Sequence, residues 1–279
     1  MDNLINLHIH STGSDGKLIP EEVVNEAIKA GIKYICFTDH YFYPKNFSNF
    51  RKTFFSENYI KEIRRLQKKY KQKIDISFGV EMDWLPTYKK WIKNEIKKQN
   101  FDYVIGSIHN FYINGKYYFP FFGKDWKKSW SDFLGKAGGI KKVVRAYYSQ
   151  IGKMAKSNLF DCVGHFDLIK LYNINNMFFS EKESWYRKSV IRALNEIKKS
   201  NIALEINTRG YIKYPKEQYP SFWILKEAVK RGIPITIGTD AHSTGEINSD
   251  IDKAYALVKK ANCREIVRFK SRKRINIKI

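Results

Sequence analysis

No window of this chain holds the roughly 18 uninterrupted apolar residues that a membrane-crossing helix needs, and Met1-Asp-Asn-Leu-Ile-Asn6 has no basic segment followed by an apolar stretch. The expectation is a cytoplasmic protein. Cysteine is scarce: Cys36, Cys162 and Cys263 are an odd number at wide spacing, and the first two lie inside apolar runs. They read as reduced core residues, not as disulfides or metal ligands. No repeat, low-complexity tract or linker rich in proline, glycine and serine divides the 279 residues, so one domain over 1–279 is the simplest organisation. Nothing like a glycine-rich dinucleotide turn follows the first apolar run, which speaks against an open, doubly wound nucleotide-binding sheet.

Acidic residues are also in short supply, 28 against 51 lysines and arginines, for a formal net charge of +23. A basic chain with many aromatics invites a nucleic-acid reading. The lysines, however, are spread through every helix-like segment, as in solvated helix faces. Only Arg264-Glu-Ile-Val-Arg-Phe-Lys-Ser-Arg-Lys-Arg274 forms a local basic cluster. A general positive field also favours a small anionic substrate.

What is present is a hydrophobic content of 43%, ample for a core, distributed as short apolar runs that alternate with lysine-rich helical stretches. The runs are 4–10, 34–40, 74–81, 103–109, 160–165, 202–207 and 233–242, and helices are expected over 20–31, 59–73, 88–98, 141–156, 182–200, 221–232 and 250–261, with a last short strand near 265–269. The segment 110–139, rich in aromatics and glycine, breaks the rhythm and reads as a long loop over a site. Alternating strands and helices predict a parallel sheet, and about seven such units predict an α/β protein closed as a TIM-like barrel.

Histidine is rare, and its placement is informative. All six, His8, His10, His40, His109, His165 and His242, directly follow short apolar runs. In the strand Leu4–His10 the two-residue period sets His8 and His10 on one face. Glu81, Asn207 and Asp240 end other runs, so polar residues mark one rim of the expected barrel, where such folds carry their chemistry. With Asp15 from the turn after the first run, nine candidate ligands result: His8, His10, Asp15, His40, Glu81, His109, His165, Asp240 and His242. They are too many for one ion and suit two or three divalent cations, zinc, manganese or iron, with a carboxylate such as Glu81 bridging. Such a centre suits phosphate-ester hydrolysis.

The motifs His8-Ile-His10 with Ser14-Asp-Gly-Lys17, Thr38-Asp-His40, Gly79-Val-Glu81, Gly106-Ser-Ile-His109, Gly164-His-Phe-Asp-Leu-Ile-Lys170, Glu205-Ile-Asn-Thr-Arg-Gly210 and Gly238-Thr-Asp-Ala-His242 run in order along nearly the whole chain. Together they resemble the polymerase and histidinol-phosphatase (PHP) superfamily. The segments His165-Phe-Asp-Leu-Ile169, Asn207-Thr-Arg-Gly210 and Tyr219-Pro-Ser221 are similar to its stand-alone histidinol-phosphate phosphatases. The resemblance implies a distorted (β/α)7 barrel with a trinuclear site: His8, His10, Glu81 and Asp240 around one ion, Glu81, His109 and His165 around a second, and Asp15, His40 and His242 around a third. It also implies that Arg209 contacts the substrate phosphate, assisted by Lys170. The expected reaction is hydrolysis of L-histidinol phosphate by a metal-bridging hydroxide, with Asp240, His242 and Arg209 beside the reacting group. A nuclease or phosphodiesterase acting on nucleic-acid ends, and a non-catalytic metal-binding scaffold, are the rival readings. Two departures from the superfamily pattern stand out: Asn6 replaces a frequent aspartate, and Ser243-Thr-Gly-Glu-Ile-Asn248 lacks the usual Val-Gly pair.

Overall fold

The computed structural model describes residues 4–47, 55–120 and 126–279. The first strand, β1 (Ile5–Ile9), leads through the turn carrying Asp15 to helix α1 (Pro20–Lys29). Pro20 and the acids Glu21 and Glu22 suit the positive end of that helix, and the Glu22 carboxylate accepts the amide of Ile19 at 3.0 Å. Strand β2 (Tyr34–Phe37) is followed by α2 (Glu57–Lys69), whose N-cap Ser56 accepts the amide of Tyr59 and whose buried stripe is Tyr59, Ile63 and Leu66. Next come β3 (Asp75–Asp83), α3 (Lys89–Lys98) and β4 (Tyr103–Ser107).

The segment expected as a long loop is more structured than its composition suggests. It holds a hairpin, β5 (Phe111–Ile113) and β6 (Lys116–Tyr118), and a helix, α4 (Trp126–Ala137), while 121–125 lie outside the described residues. The aromatics that made it look irregular are its core: Phe111 packs on Trp130 and Phe133 with ring centroids 6.2 and 5.1 Å apart. Helix α5 (Ile140–Lys156), strand β7 (Cys162–Val163), α6 (Ser184–Ser200), β8 (Ala203–Asn207), α7 (Phe222–Lys230), β9 (Ile235–Gly238) and α8 (Ile251–Lys260) complete the rhythm.

Seven parallel strands form one sheet in the order β1-β2-β3-β4-β7-β8-β9. Its edges nearly close: Ile9 bridges Ala241, the His10 amide donates to Ala241 O at 2.9 Å, and the Asp240 amide to His8 O at 2.8 Å. The α/β barrel is therefore borne out, with all strand C-termini at one rim. Among the described residues no helix is long and apolar enough to cross a membrane.

The chain ends in two strands, where the sequence indicated one. Strands β10 (Glu265–Lys270) and β11 (Lys273–Lys278) form an antiparallel hairpin against the opposite end of the barrel. Phe269 stacks on Tyr103 at 4.7 Å, and the amides of Ser271 and Arg272 bond the side chain and carbonyl of Asp102. Arg268 pairs with Asp75 at 2.9 Å and Arg272 with Asp161 at 2.5 Å, where the acids start or immediately precede barrel strands. Much of the basic C-terminal cluster thus neutralises carboxylates at the barrel floor.

Candidate metal centre

Each barrel strand delivers polar side chains to the same rim, because the apolar run that makes the strand ends where the wall ends. The structure brings all nine sequence-derived ligands together there. Three groups have ligand atoms within 4.8 Å of one another: His10, Asp15, His40 and His242; His8, His10 and Glu81; and His40, Glu81 and His109. Glu81 is central. Its Oε2 lies 2.8 Å from His40 Nδ1 and 3.6 Å from the Nε2 atoms of His8 and His10, while its Oε1 lies 2.9 Å from His165 Nε2 and 3.5 Å from His109 Nε2. One carboxylate facing two sets of imidazoles has the geometry of a bridging ligand. Asp240 Oδ1 stands 3.3 Å from His10 Nε2 and 3.8 Å from His8 Nε2, and Asp15 stands 3.5 Å from His242 and 3.6 Å from His40. His40 lies between two of the expected ligand sets, with one nitrogen toward Glu81 and the other toward Asp15.

A further carboxylate shell holds these ligands and was not singled out from sequence. Glu205 Oε1 is 2.6 Å from His8 Nδ1, and Asp83 Oδ1 is 2.7 Å from His109 Nδ1. These contacts assign the Nδ1 protons to the outward side and leave the Nε2 lone pairs facing inward. His8 Nε2 and His10 Nε2 are 3.1 Å apart, and His109 Nε2 and His165 Nε2 3.3 Å. Lone pairs converging at that spacing, interleaved with carboxylates, form a donor set that fits divalent cations. Asp39, fully buried, accepts the Ser11 amide and the hydroxyls of Ser11, Ser14 and Tyr59, fixing the turn that carries Asp15. Asn6, at the position of the frequent aspartate, does not orient a histidine ring. It clips strands by accepting the amides of His8 and Thr239 and donating to Thr239 and Ile247. Gly238 is required by closeness: a Cβ there would meet Glu205 Oε1 at 2.3 Å and His8 Cβ at 2.4 Å. Asp240 adopts a left-handed φ of 54°, a conformation aspartate tolerates better than most residues.

The site is electrostatically polarised. Burial opposes ionising Glu81, yet His40, His109 and His8 hold it well below the usual carboxylate range. Burial likewise opposes charge on Asp240, and His8, His10 and Arg209 overcome it. Burial and the neighbouring His242 lower His10 to about 4, keeping it a neutral donor. For His8, burial is outweighed by Glu205, Asp240 and Glu81, which raise it well above the ordinary imidazole value, and the same negative field attracts a metal cation.

Beside the ligands lies a cavity of about 180 Å³ whose remaining wall is Leu168, Leu171, Arg209, Lys213 and Tyr219. Arg209, on the short turn Thr208–Tyr211 after β8, is where the sequence indicated; its Nη1 donates to Asp240 O at 2.6 Å and to Glu246 at 3.0 Å. Lys170 requires a correction. It is 4% exposed, and its ammonium is held by Asp167 at 2.9 Å, Glu217 at 2.7 Å and Ser221 at 2.7 Å, away from the cavity wall. It anchors the segment after β8 to the segment after β7. Lys213, which sequence reading passed over, is the lysine of the wall.

The PHP domain family model matches residues 6–209. Among curated proteins, a probable histidinol-phosphatase of Deinococcus radiodurans is 30% identical over 85% of this chain and 84% of its own length. The histidinol-phosphatase of Lactococcus lactis is 29% identical over 96% of this chain and 95% of its own. A crystal structure of the Lactococcus lactis histidinol phosphate phosphatase, complexed with zinc, L-histidinol and phosphate, superposes with a TM-score of 0.80 at 28% identity, covering 98% of this chain and 99% of that one.

Proposed function

The chain belongs to the PHP domain family, and on that premise we propose that it is a metal-dependent phosphomonoesterase that hydrolyses L-histidinol phosphate to L-histidinol and phosphate, a step of histidine biosynthesis. The observation that carries this reading is the convergence of His8, His10, Asp15, His40, Glu81, His109, His165, Asp240 and His242 on one rim beside a small cavity. The relatives' names and the zinc, L-histidinol and phosphate of the similar crystal structure support it.

These nine residues would hold two or three divalent transition-metal ions, zinc first among zinc, manganese and iron given that neighbour. When bound, such ions acidify water to a nucleophile and neutralise phosphoryl oxygens. The chain's own residues do the rest. Glu205 and Asp83 fix the rings of His8 and His109, so the donor set is organised before substrate arrives. Arg209 meets the phosphoryl group as it gains negative charge, its orientation held by Asp240 O and Glu246. Water adds to phosphorus, and the bond from phosphorus to the alcohol oxygen breaks. Leu168, Leu171 and Tyr219 give the organic part of the substrate an apolar wall.

The nuclease alternative drew on the overall positive charge and on the superfamily's polymerase branch; in the local basic cluster at the C-terminus, Arg268 and Arg272 are committed to Asp75 and Asp161. A phosphate-release screen over small monoesters, a diester and single-stranded DNA, with zinc, manganese or iron added, separates the readings. L-histidinol phosphate is expected to give the highest kcat/KM, and preference for the diester or for DNA would overturn the substrate assignment.

A further inference from the structure

The cavity wall carries two cations of unequal status. After β8 the chain turns tightly: the Ile212 amide donates to Arg209 O at 3.1 Å and the Lys213 amide to Gly210 O at 3.2 Å. Arg209 lies within this tight turn and Lys213 just past it, and both line the cavity that Asp15, Asp240 and His242 also border. Arg209 is tied to Asp240 O and Glu246, and buried Lys170 is enclosed by Asp167, Glu217 and Ser221. Lys213 differs. Among the described residues its ammonium makes no hydrogen bond and no ion pair, and the residue is exposed to solvent at the cavity mouth, free to reach a ligand there. Burial, then the Arg209 charge, pulls its pKa below the ordinary lysine value, against the weaker opposing pull of Asp240 and Glu246.

Arg209 already has a carboxylate partner in Glu246, whereas the Lys213 ammonium on the same wall has none among the described residues and is available to an anion that enters the cavity. A phosphate monoester dianion is such an anion, and a second cation beside Arg209 adds a charge-assisted contact to it. We propose that Lys213 is a second phosphate-binding residue of this site, closing with Arg209 on the phosphoryl group; this rests on the phosphomonoesterase reading above. Its unbranched stem and single ammonium let it follow the group as it enters and leaves, while Arg209 stays fixed by its own hydrogen bonds.

The test is calorimetric titration of the metal-loaded protein with inorganic phosphate, alongside steady-state turnover of L-histidinol phosphate, for wild type, Lys213→Met, Lys213→Arg and Lys188→Met. The last removes the same unit charge from an exposed face of α6 and controls for the overall positive field. Lys213→Met should weaken phosphate binding about 10-fold, a charge-assisted contact discounted for partial solvation, and raise KM in step. Lys213→Arg should recover most of that loss, Lys188→Met should match wild type, and metal content should be the same in all four. Phosphate affinity unchanged in Lys213→Met, an equal loss in Lys188→Met, or no phosphate binding by wild type would each overturn the proposal. The two readings fail separately. A wild type that binds phosphate through Lys213 but does not turn over L-histidinol phosphate loses the substrate assignment and keeps Lys213; a wild type that turns it over with Lys213→Met unaffected does the reverse.

Discussion

Asp15 is 45% exposed while the imidazoles it faces on His10 and His40 are nearly buried, so the ligand cluster opens to solvent on the Asp15 side and is sealed on the Glu205 side. That asymmetry separates two kinds of residue. Arg209 lines the cavity; under the proposed phosphate contact, Arg209→Met keeps much of the stem and removes charge-assisted hydrogen bonds worth roughly 1.5 to 3 kcal/mol each, so kcat/KM for L-histidinol phosphate should fall about 10- to 100-fold or more. Elemental analysis should find its metal content unchanged, and wild-type efficiency would refute the phosphate contact. Glu205 acts at the sealed side, through His8. Glu205→Gln keeps the shape but replaces the carboxylate facing His8 Nδ1, and competitive chelation should show metal affinity lowered about 10- to 100-fold. An unaltered affinity would mean that His8 is oriented by packing alone. The nine candidate ligands, which the structure gathers on one rim, stood out in the sequence because each ends or closely follows an apolar run. Glu205 and Asp83 were legible in principle and missed: they lie two residues from Asn207 and Glu81, so strand periodicity puts them on the same faces. Lys170, which the family resemblance offered as an aid to Arg209, sits among Asp167, Glu217 and Ser221, neighbours that only tertiary structure brings around it.

Among the elements, the strands and most helices followed from periodicity and end signals, with boundaries displaced by a few residues. Short strands such as Cys162–Val163 were read too long because the apolar residues around them are buried as loop. The segment 110–139 was misread for a physical reason: its aromatics pack on one another in a hairpin and helix of their own, so neither barrel rhythm nor polar loop composition describes it. The C-terminal hairpin was half seen, since β11 is largely exposed and carries little apolar pattern. Its anchor is Phe269, buried against Tyr103. Phe269→Ala should cost roughly 3 to 5 kcal/mol by the usual range for a buried phenylalanine, lowering the denaturation midpoint while leaving metal content and KM near wild type at temperatures where the protein is folded. Loss of metal without loss of stability would contradict the division between a structural floor and a functional rim.

At the scale of the whole molecule, the barrel gathers side chains from seven strands on one rim, so residues as distant in sequence as His8 and His242 share a cluster. Its net charge is +23, and part of the C-terminal basic cluster is paired with Asp75 and Asp161. Binding to single-stranded or duplex DNA at physiological salt should therefore stay in the non-specific range of about 10⁻⁴ to 10⁻⁶ M, as read by fluorescence anisotropy. Submicromolar binding with cleavage of DNA ends would favour the nuclease reading. The most direct test of the central claim is elemental analysis of protein purified without chelator, paired with its turnover of L-histidinol phosphate before stripping, after stripping and after reloading. More than one equivalent of a transition metal, activity abolished by stripping and restored by reloading, is the expected result; a stripped, metal-free protein that hydrolyses L-histidinol phosphate at the full rate would contradict it.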